Sequence, residues 1–249
     1  AMLAEARIGT SGFAYRDWVG HVYPRGSTSG EMLPIYAQRL PAVEIVSTFT
    51  RTPNPELLES WSASVPPGFQ FAVKAPTRIG VELAAGKDGI RPMAAFMEVA
   101  GRLGDALGPV LVQVPKAGRV DRHALAALLA ALPEGLRVAF EFRHRSCCED
   151  ATLRLLSEHD AALALIDEGE GAPRLELTAG FTYVRIRRDD DAPEAMDAWA
   201  ERLGLLSRRG VDVYAFLKHD RRGLAIDRAM RLATLLRAES SIGEQAMLS

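Results

Sequence analysis

Eight short apolar, β-branched runs recur along this chain, and that recurrence constrains its fold more than any other feature. They are Arg7–Thr10, Val43–Thr48, Phe69–Lys74, Val110–Val114, Arg137–Phe142, Ala162–Ile166, Phe181–Ile186 and Val211–Leu217. Runs of helical periodicity separate most of them: Glu31–Leu40, Pro55–Ser64, Pro92–Leu103, Asp121–Leu132, Glu149–His159, Pro193–Ser207 and Gly223–Ala238. Pro55 suits a first helical turn, Asp121 is a good N-cap, and Pro133-Glu134-Gly135 ends a helix and turns. Strands that alternate with helices predict a parallel sheet. The 249 residues match the length of a closed barrel, about 250 residues. A doubly wound open sheet is the alternative, but no glycine-rich dinucleotide fingerprint follows any strand. We therefore expect one α/β domain over residues 2–249, a (β/α)8 TIM-type barrel. Glu168–Pro173 reads as a loop, and the chain after about residue 238 as a loose tail.

Composition narrows the function classes. Hydrophobic residues make up 48% and charged residues 25%, as in a soluble globular protein. No apolar run reaches the roughly 18 residues that a membrane span needs. The formal net charge of −2 argues against electrostatic coating of nucleic acid or of an anionic membrane. Two cysteines, adjacent at Cys147 and Cys148, cannot build a disulfide framework, so a reducing, cytoplasmic location is expected. The oligomeric state is not legible.

Polar residues fall where a barrel interior is usually filled by Val, Ile and Leu. Strand side chains alternate between two faces. In Ala139–His144, Phe140 and Phe142 suit the helix-facing side, leaving Glu141 and Arg143 for the interior. In Thr182–Arg187, Val184 and Ile186 face the helices, and Tyr183, Arg185 and Arg187 the interior. The same alternation points Glu44, Lys74 and Gln113 inward and puts Lys218 on the face of Tyr214 and Phe216. Asp167 follows the sixth strand. These residues gather toward the strand C-terminal ends, where barrel active sites lie. Structural ion pairing, such as Glu141 with Arg185 and Glu44 with Lys74, is the plainer reading.

Six segments in order resemble the YecE-like family, domain of unknown function 72. They are IGTSGFAYRDWVGHVYP at Ile8–Pro24, VEIVSTF at Val43–Phe49, FAVKAP at Phe71–Pro76, VLVQVP at Val110–Pro115, FEFRH at Phe140–His144 and TYVRIR at Thr182–Arg187. The resemblance runs over nearly the whole chain and implies a TIM-type barrel, without supplying a reaction. Glu44, Lys74, Glu141, Arg143, His144 and Arg185 match the family pattern. Val46 and Thr50 stand where it has asparagine and tyrosine. Arg145 and Cys147 replace proline and tryptophan, and Arg187 and Arg188 replace histidine and glycine. The usual FNN becomes Leu217, Lys218 and His219. The chain resembles a divergent member with a more basic mouth.

Three chemistries follow. The first is a basic pocket for a small anionic or phosphorylated substrate: Lys74, Arg143, Arg185, Arg187 and Lys218 bind it, with Gln113 and His144 beside them. Glu44, Glu141 or Asp167 is then the catalytic base. Aromatics after the first strand, Tyr15 and Trp18 among Phe13 and Tyr23, either stack on the ligand or plug one end of the barrel. The second is a metal-dependent phosphodiesterase using Glu44, Glu141, His144 and Asp167. Few histidines and many nearby cations oppose it, and His144, Cys147 and Cys148 lack a second ligand pair. The third is a non-catalytic ligand-binding or scaffold barrel. The expectation is an enzyme on a small anion, with no metal, no cofactor, no membrane and no nucleic-acid partner.

Overall fold

The computed structural model describes residues 4–47, 53–116, 119–144, 149–171, 173–189 and 193–247. Among the described residues eight strands are present: β1 (Ala6–Thr10), β2 (Ala42–Ile45), β3 (Gln70–Lys74), β4 (Leu107–Val114), β5 (Val138–Phe142), β6 (Ala162–Asp167), β7 (Phe181–Ile186) and β8 (Asp212–Leu217). The α-helices among the described residues are α1 (Ser29–Ala37), α2 (Pro55–Ala63), α3 (Thr77–Ala84), α4 (Ile90–Ala100), α5 (Arg122–Ala131), α6 (Asp150–Glu158), α7 (Pro193–Ser207) and α8 (Leu224–Met247). The strand order is β1-β8-β7-β6-β5-β4-β3-β2, the order of a (β/α)8 barrel. No helix among the described residues is long and apolar enough to cross a membrane.

The chain divides into two compact units. The first holds residues 1–43, 166–174 and 180–249, and so β1, β7, β8, α1, α7 and α8. β8 lies between β1 and β7, parallel to both. Arg185 pairs in register with Phe216 and Tyr183 with Tyr214, so these four share a face. The Tyr183 and Phe216 rings pack with centroids 5.4 Å apart, and Tyr214 meets the edge of Phe181 at 5.9 Å. Gly9 sets the entry to this unit. A Cβ there would lie 2.0 Å from the Ala42 carbonyl oxygen, so only glycine lets β1 run this close to that backbone. A capping box starts α1: Glu31 and Thr28 satisfy each other's backbone donors. At the start of α8 the Asp220 carboxylate accepts from the Arg222, Leu224 and Ala225 amides.

The second unit holds residues 44–165 and 175–179. Its register sets Gln113 directly opposite Glu141, and Lys74 opposite Leu111, so Lys74, Leu111, Gln113 and Glu141 share a face. Asn54 caps α2 by accepting from the Glu56 amide, and Asp121 caps α5 by accepting from the Ala124 amide. Segment 175–179 is clasped to β6 through Thr178, whose hydroxyl donates to the Ala161 carbonyl and accepts from the Leu163 amide.

Helix α3 has no counterpart among the helical runs read from the sequence. TRIGVELA is only eight residues with a glycine in its middle, although Ile79 and Leu83 fall on one buried face. Tertiary packing makes it a helix. A Cβ on Gly80 would lie 1.9 Å from the Gln113 carbonyl oxygen, so α3 rests directly on the backbone of β4. Helix α8 runs on to Met247, through the stretch read as a tail.

Candidate active site

In the second unit the site is built on β4 and β5. Glu141 is 1% exposed, and its Oε1 accepts twice: from Gln113 Nε2 at 2.6 Å and from Arg143 Nε at 2.8 Å. Arg143 sits two residues further along the same strand, just beyond its end, with 47% of its side chain exposed. The carboxylate is thus held under a guanidinium that reaches water. Burial raises the free energy of a charged carboxylate, and the two donors offset that. Lys74 is also buried on this face, at 8% exposure, and Glu44 is fully buried. His144 is half-buried. Arg145, Cys147 and Cys148 lie outside the described residues.

In the first unit the hydrogen-bond ladder continues one residue past the strands. Ser11 N donates to the Leu217 carbonyl, Lys218 N to that of Ile186 and Arg187 N to that of Asp167. This fixes Ser11, Lys218, Arg187 and Asp167 as successive positions along the strand ends. Arg185 lies one step deeper and is buried. Arg187 Nη1 donates to Ser11 Oγ at 2.9 Å. Lys218 Nζ reaches the exposed Asp189 at 2.6 Å.

Asp167, read from the sequence as one possible general base, accepts on both oxygens. Its Oδ2 accepts from Trp199 Nε1 at 2.7 Å, and its Oδ1 from the Gly169 amide at 2.9 Å and Arg188 Nη1 at 3.4 Å. Both oxygens are committed to α7, to the loop after β6 and to the residue beyond Arg187. Arg202 stacks 4.5 Å from the Trp199 ring centroid and donates to the Pro173 carbonyl. Burial pushes its guanidinium below the ordinary range, and the charge of Asp167 works the other way. This cluster anchors a loop.

The aromatics after β1 pack against one another. Trp18 is fully buried, and its Nε1 donates to the Asp220 carbonyl. Tyr23 donates to the Phe13 carbonyl and Tyr15 to that of Ser11. Tyr15 stacks face to face on His219, with centroids 3.7 Å apart. Trp18 therefore serves as an anchor of this loop, and Tyr15 has one ring face covered. Burial holds the His219 imidazole below its usual range; Asp220 and Asp17 oppose that shift. Sequence reading missed the roles of Ser11, His219, Trp199 and Arg202. Their partners are distant in the chain, and no short motif links them.

Among the described residues no three His, Cys, Asp or Glu side chains gather as a metal site. The carboxylates named for one are each engaged by donors where contacts are defined: Glu141 by Gln113 and Arg143, and Asp167 by Trp199, Gly169 and Arg188.

Comparison with known proteins places the chain. A DUF72 family protein from Thermotoga maritima is 25% identical, with a TM-score of 0.79 over 94% of this chain and 99% of that one. A DUF72 family protein from Enterococcus faecalis is 20% identical, with a TM-score of 0.70 over 93% and 95%. No curated protein matches significantly. The family model described as "Protein of unknown function DUF72" matches residues 7–247, nearly the whole chain, and the chain belongs to that family.

Proposed function

We propose that the protein is an enzyme acting on a small anionic substrate at the C-terminal end of its strands. Arg143 holds the anion and Glu141 moves the proton. One observation carries this reading: a nearly fully buried carboxylate, Glu141, is tied through Oε1 to a guanidinium that is half exposed. A purely structural pair has no need of a solvent-facing arginine. A binding site uses one, because the exposed part of the fork remains available to a ligand carboxylate or phosphate. Gln113 and the Arg143 Nε fix the rotamer of Glu141, which preorganises it. Lys74, on the same face, adds positive charge that favours an anionic intermediate. Glu44 is the second carboxylate available to this reading, and Asp167 has no part in it.

The test is direct binding of a panel of small carboxylates and phosphate monoesters to the purified protein and to Arg143→Met. A charge-assisted hydrogen bond is worth about 1.5–3 kcal/mol, so the affinity of any binder falls by roughly 10- to 100-fold in the variant. Equal affinities in the two proteins, with the fold intact, favour the non-catalytic scaffold barrel instead.

A further inference from the structure

The turn that leaves β1 takes no part in the Glu141 reading, and side-chain hydroxyls hold its carbonyl oxygens one after another. Tyr15 donates to the Ser11 carbonyl at 2.5 Å, Thr10 Oγ1 to that of Gly12 at 2.7 Å and Tyr23 to that of Phe13 at 2.5 Å. Thr10 and Tyr23 are buried, so their bonds draw the Gly12 and Phe13 oxygens inward. Every peptide among the described residues is trans. In a trans peptide the N–H points opposite to the C=O of the same plane. Holding the Ser11 carbonyl therefore aims the Gly12 N–H away from the Tyr15 hydroxyl, and holding the Phe13 carbonyl aims the Ala14 N–H away from Tyr23. Neither amide has an acceptor among the described residues. Gly12 is half-buried and Ala14 exposed, so a solute can reach both. Gly12 also bends the turn, at φ +85°, and a Cβ there would lie 2.3 Å from the Tyr15 hydroxyl, so the position favours glycine. Turns of this kind make concavities lined by successive N–H groups, which suit anions. A cation stands at the same turn: half-buried Arg187 donates from Nη1 to Ser11 Oγ at 2.9 Å.

We propose that turn 11–14 binds a phosphate group through the Gly12 and Ala14 amides, with the Arg187 guanidinium supplying the countercharge. A phosphate carries several acceptor oxygens on one centre, so two amides of one turn and a neighbouring arginine meet different oxygens. The tyrosine hydroxyls never touch the ligand. They are positioning groups: each holds a carbonyl back, where a released carbonyl could swing toward the anion and repel it. This assigns the aromatics after β1 a purpose that stacking does not require. The site is independent of Glu141 and Arg143.

The experiment is titration of the nitrogen-15-labelled chain with inorganic phosphate at fixed ionic strength, read at each backbone amide by nuclear magnetic resonance. In wild type the Gly12 and Ala14 resonances shift downfield saturably and with one shared affinity. Arg187→Met weakens that affinity by at least tenfold. Tyr15→Phe keeps the ring stacked on His219 but releases the Ser11 carbonyl, and weakens it by at least threefold. In Arg143→Met, which removes the guanidinium of the proposed active site, the two amides respond with the wild-type affinity, so failure of one reading leaves the other standing. Melting temperatures without phosphate confirm that each variant is folded. Gly12 and Ala14 resonances that stay in place, or that drift without saturating, overturn the proposal. So does an affinity in Tyr15→Phe or in Arg187→Met equal to that of wild type.

Discussion

Gln113 and Glu141 lie directly opposite each other on adjacent parallel strands, and the Gln113 amide donates to Glu141 Oε1 at 2.6 Å. Cross-strand neighbours on one face are close enough to bond, so strand register alone selects this pair. The same oxygen also serves Arg143, which joins a buried position to an exposed one.

That arrangement predicts different outcomes for two substitutions. Glu141→Gln keeps the shape and an acceptor oxygen, so Gln113 and Arg143 retain a partner. Arg143 is about half exposed, and water screens the lost charge pairing. Stability therefore falls by only about 1 kcal/mol, whereas any activity found by substrate screening disappears. Glu141→Ala leaves the half-buried Gln113 amide without this acceptor and a cavity beside it, and stability falls by about 2–4 kcal/mol. Thermal denaturation of both variants checks this. A loss of more than about 3 kcal/mol in Glu141→Gln identifies the carboxylate as structural, as expected when a buried pair is broken.

Gly80 is the second lever. Its α-carbon faces the Gln113 carbonyl across the α3–β4 contact, with no space for a methyl group. Gly80→Ala gains helix propensity, about 1 kcal/mol, but must push α3 off β4. Overpacking of this kind generally destabilises by about 1–3 kcal/mol. Here the displaced element is the one resting on Gln113, so ligand affinity at Glu141 falls along with stability. Chemical denaturation and the binding assay, run on one preparation, read both effects. A variant more stable than wild type shows that the contact relaxes freely.

How much of this was legible in the sequence depends on the range of the interaction concerned. Strand alternation placed Glu141, Gln113 and Lys74 on one face, because side-chain direction in a strand follows from parity alone. The family segments identified the fold for the same local reason. Parity could not say that Arg143, on the same strand, would be one of the donors to Glu141, since rotamers decide that. Nor could it show that Asp167, one residue past the apolar run of β6, would turn to Trp199 on α7. Helix α3 was passed over because it is only eight residues long, and its close approach to β4 through Gly80 leaves no trace in so short a window. Trp18 and Tyr15 were read correctly as residues of one loop. Whether such a loop stacks a ligand or plugs an end depends on which atoms approach it from β8, and the indole bonds to the Asp220 carbonyl.

Trp199→Phe tests the loop anchor. The change keeps most of the buried ring but removes the indole donor, leaving Asp167 with one partner fewer at 2% exposure. An unsatisfied buried acceptor costs about 1–3 kcal/mol, more when it is charged. Arg202 also loses part of its stacking surface. The melting temperature should fall, and hydrogen exchange of the Gly169 amide, which bonds the same carboxylate, should speed up. Unchanged protection at Gly169 means that the loop holds Asp167 without help from α7.

His219 supplies a pH dependence whose sign follows from its surroundings. Its ring stacks on Tyr15 and lies beside Trp18, with Asp17, Asp220 and Arg221 as the nearby charges. Nε2 is buried and has no hydrogen-bond partner among the described residues. Burial lowers the folded-state pKa below the ordinary value of 6.5. The unfolded chain therefore takes up this proton first as pH falls, and stability declines with it. The contribution is full above about pH 6.5. It is lost progressively as pH drops through that value and then through the lower folded pKa, below which it levels off. His219→Phe keeps the stack and removes the titration. Melting curves of wild type and variant, recorded from pH 5 to 8, should diverge only on the acid side, with wild type losing more. Parallel curves across that range show that the imidazole titrates alike in the folded and unfolded chains.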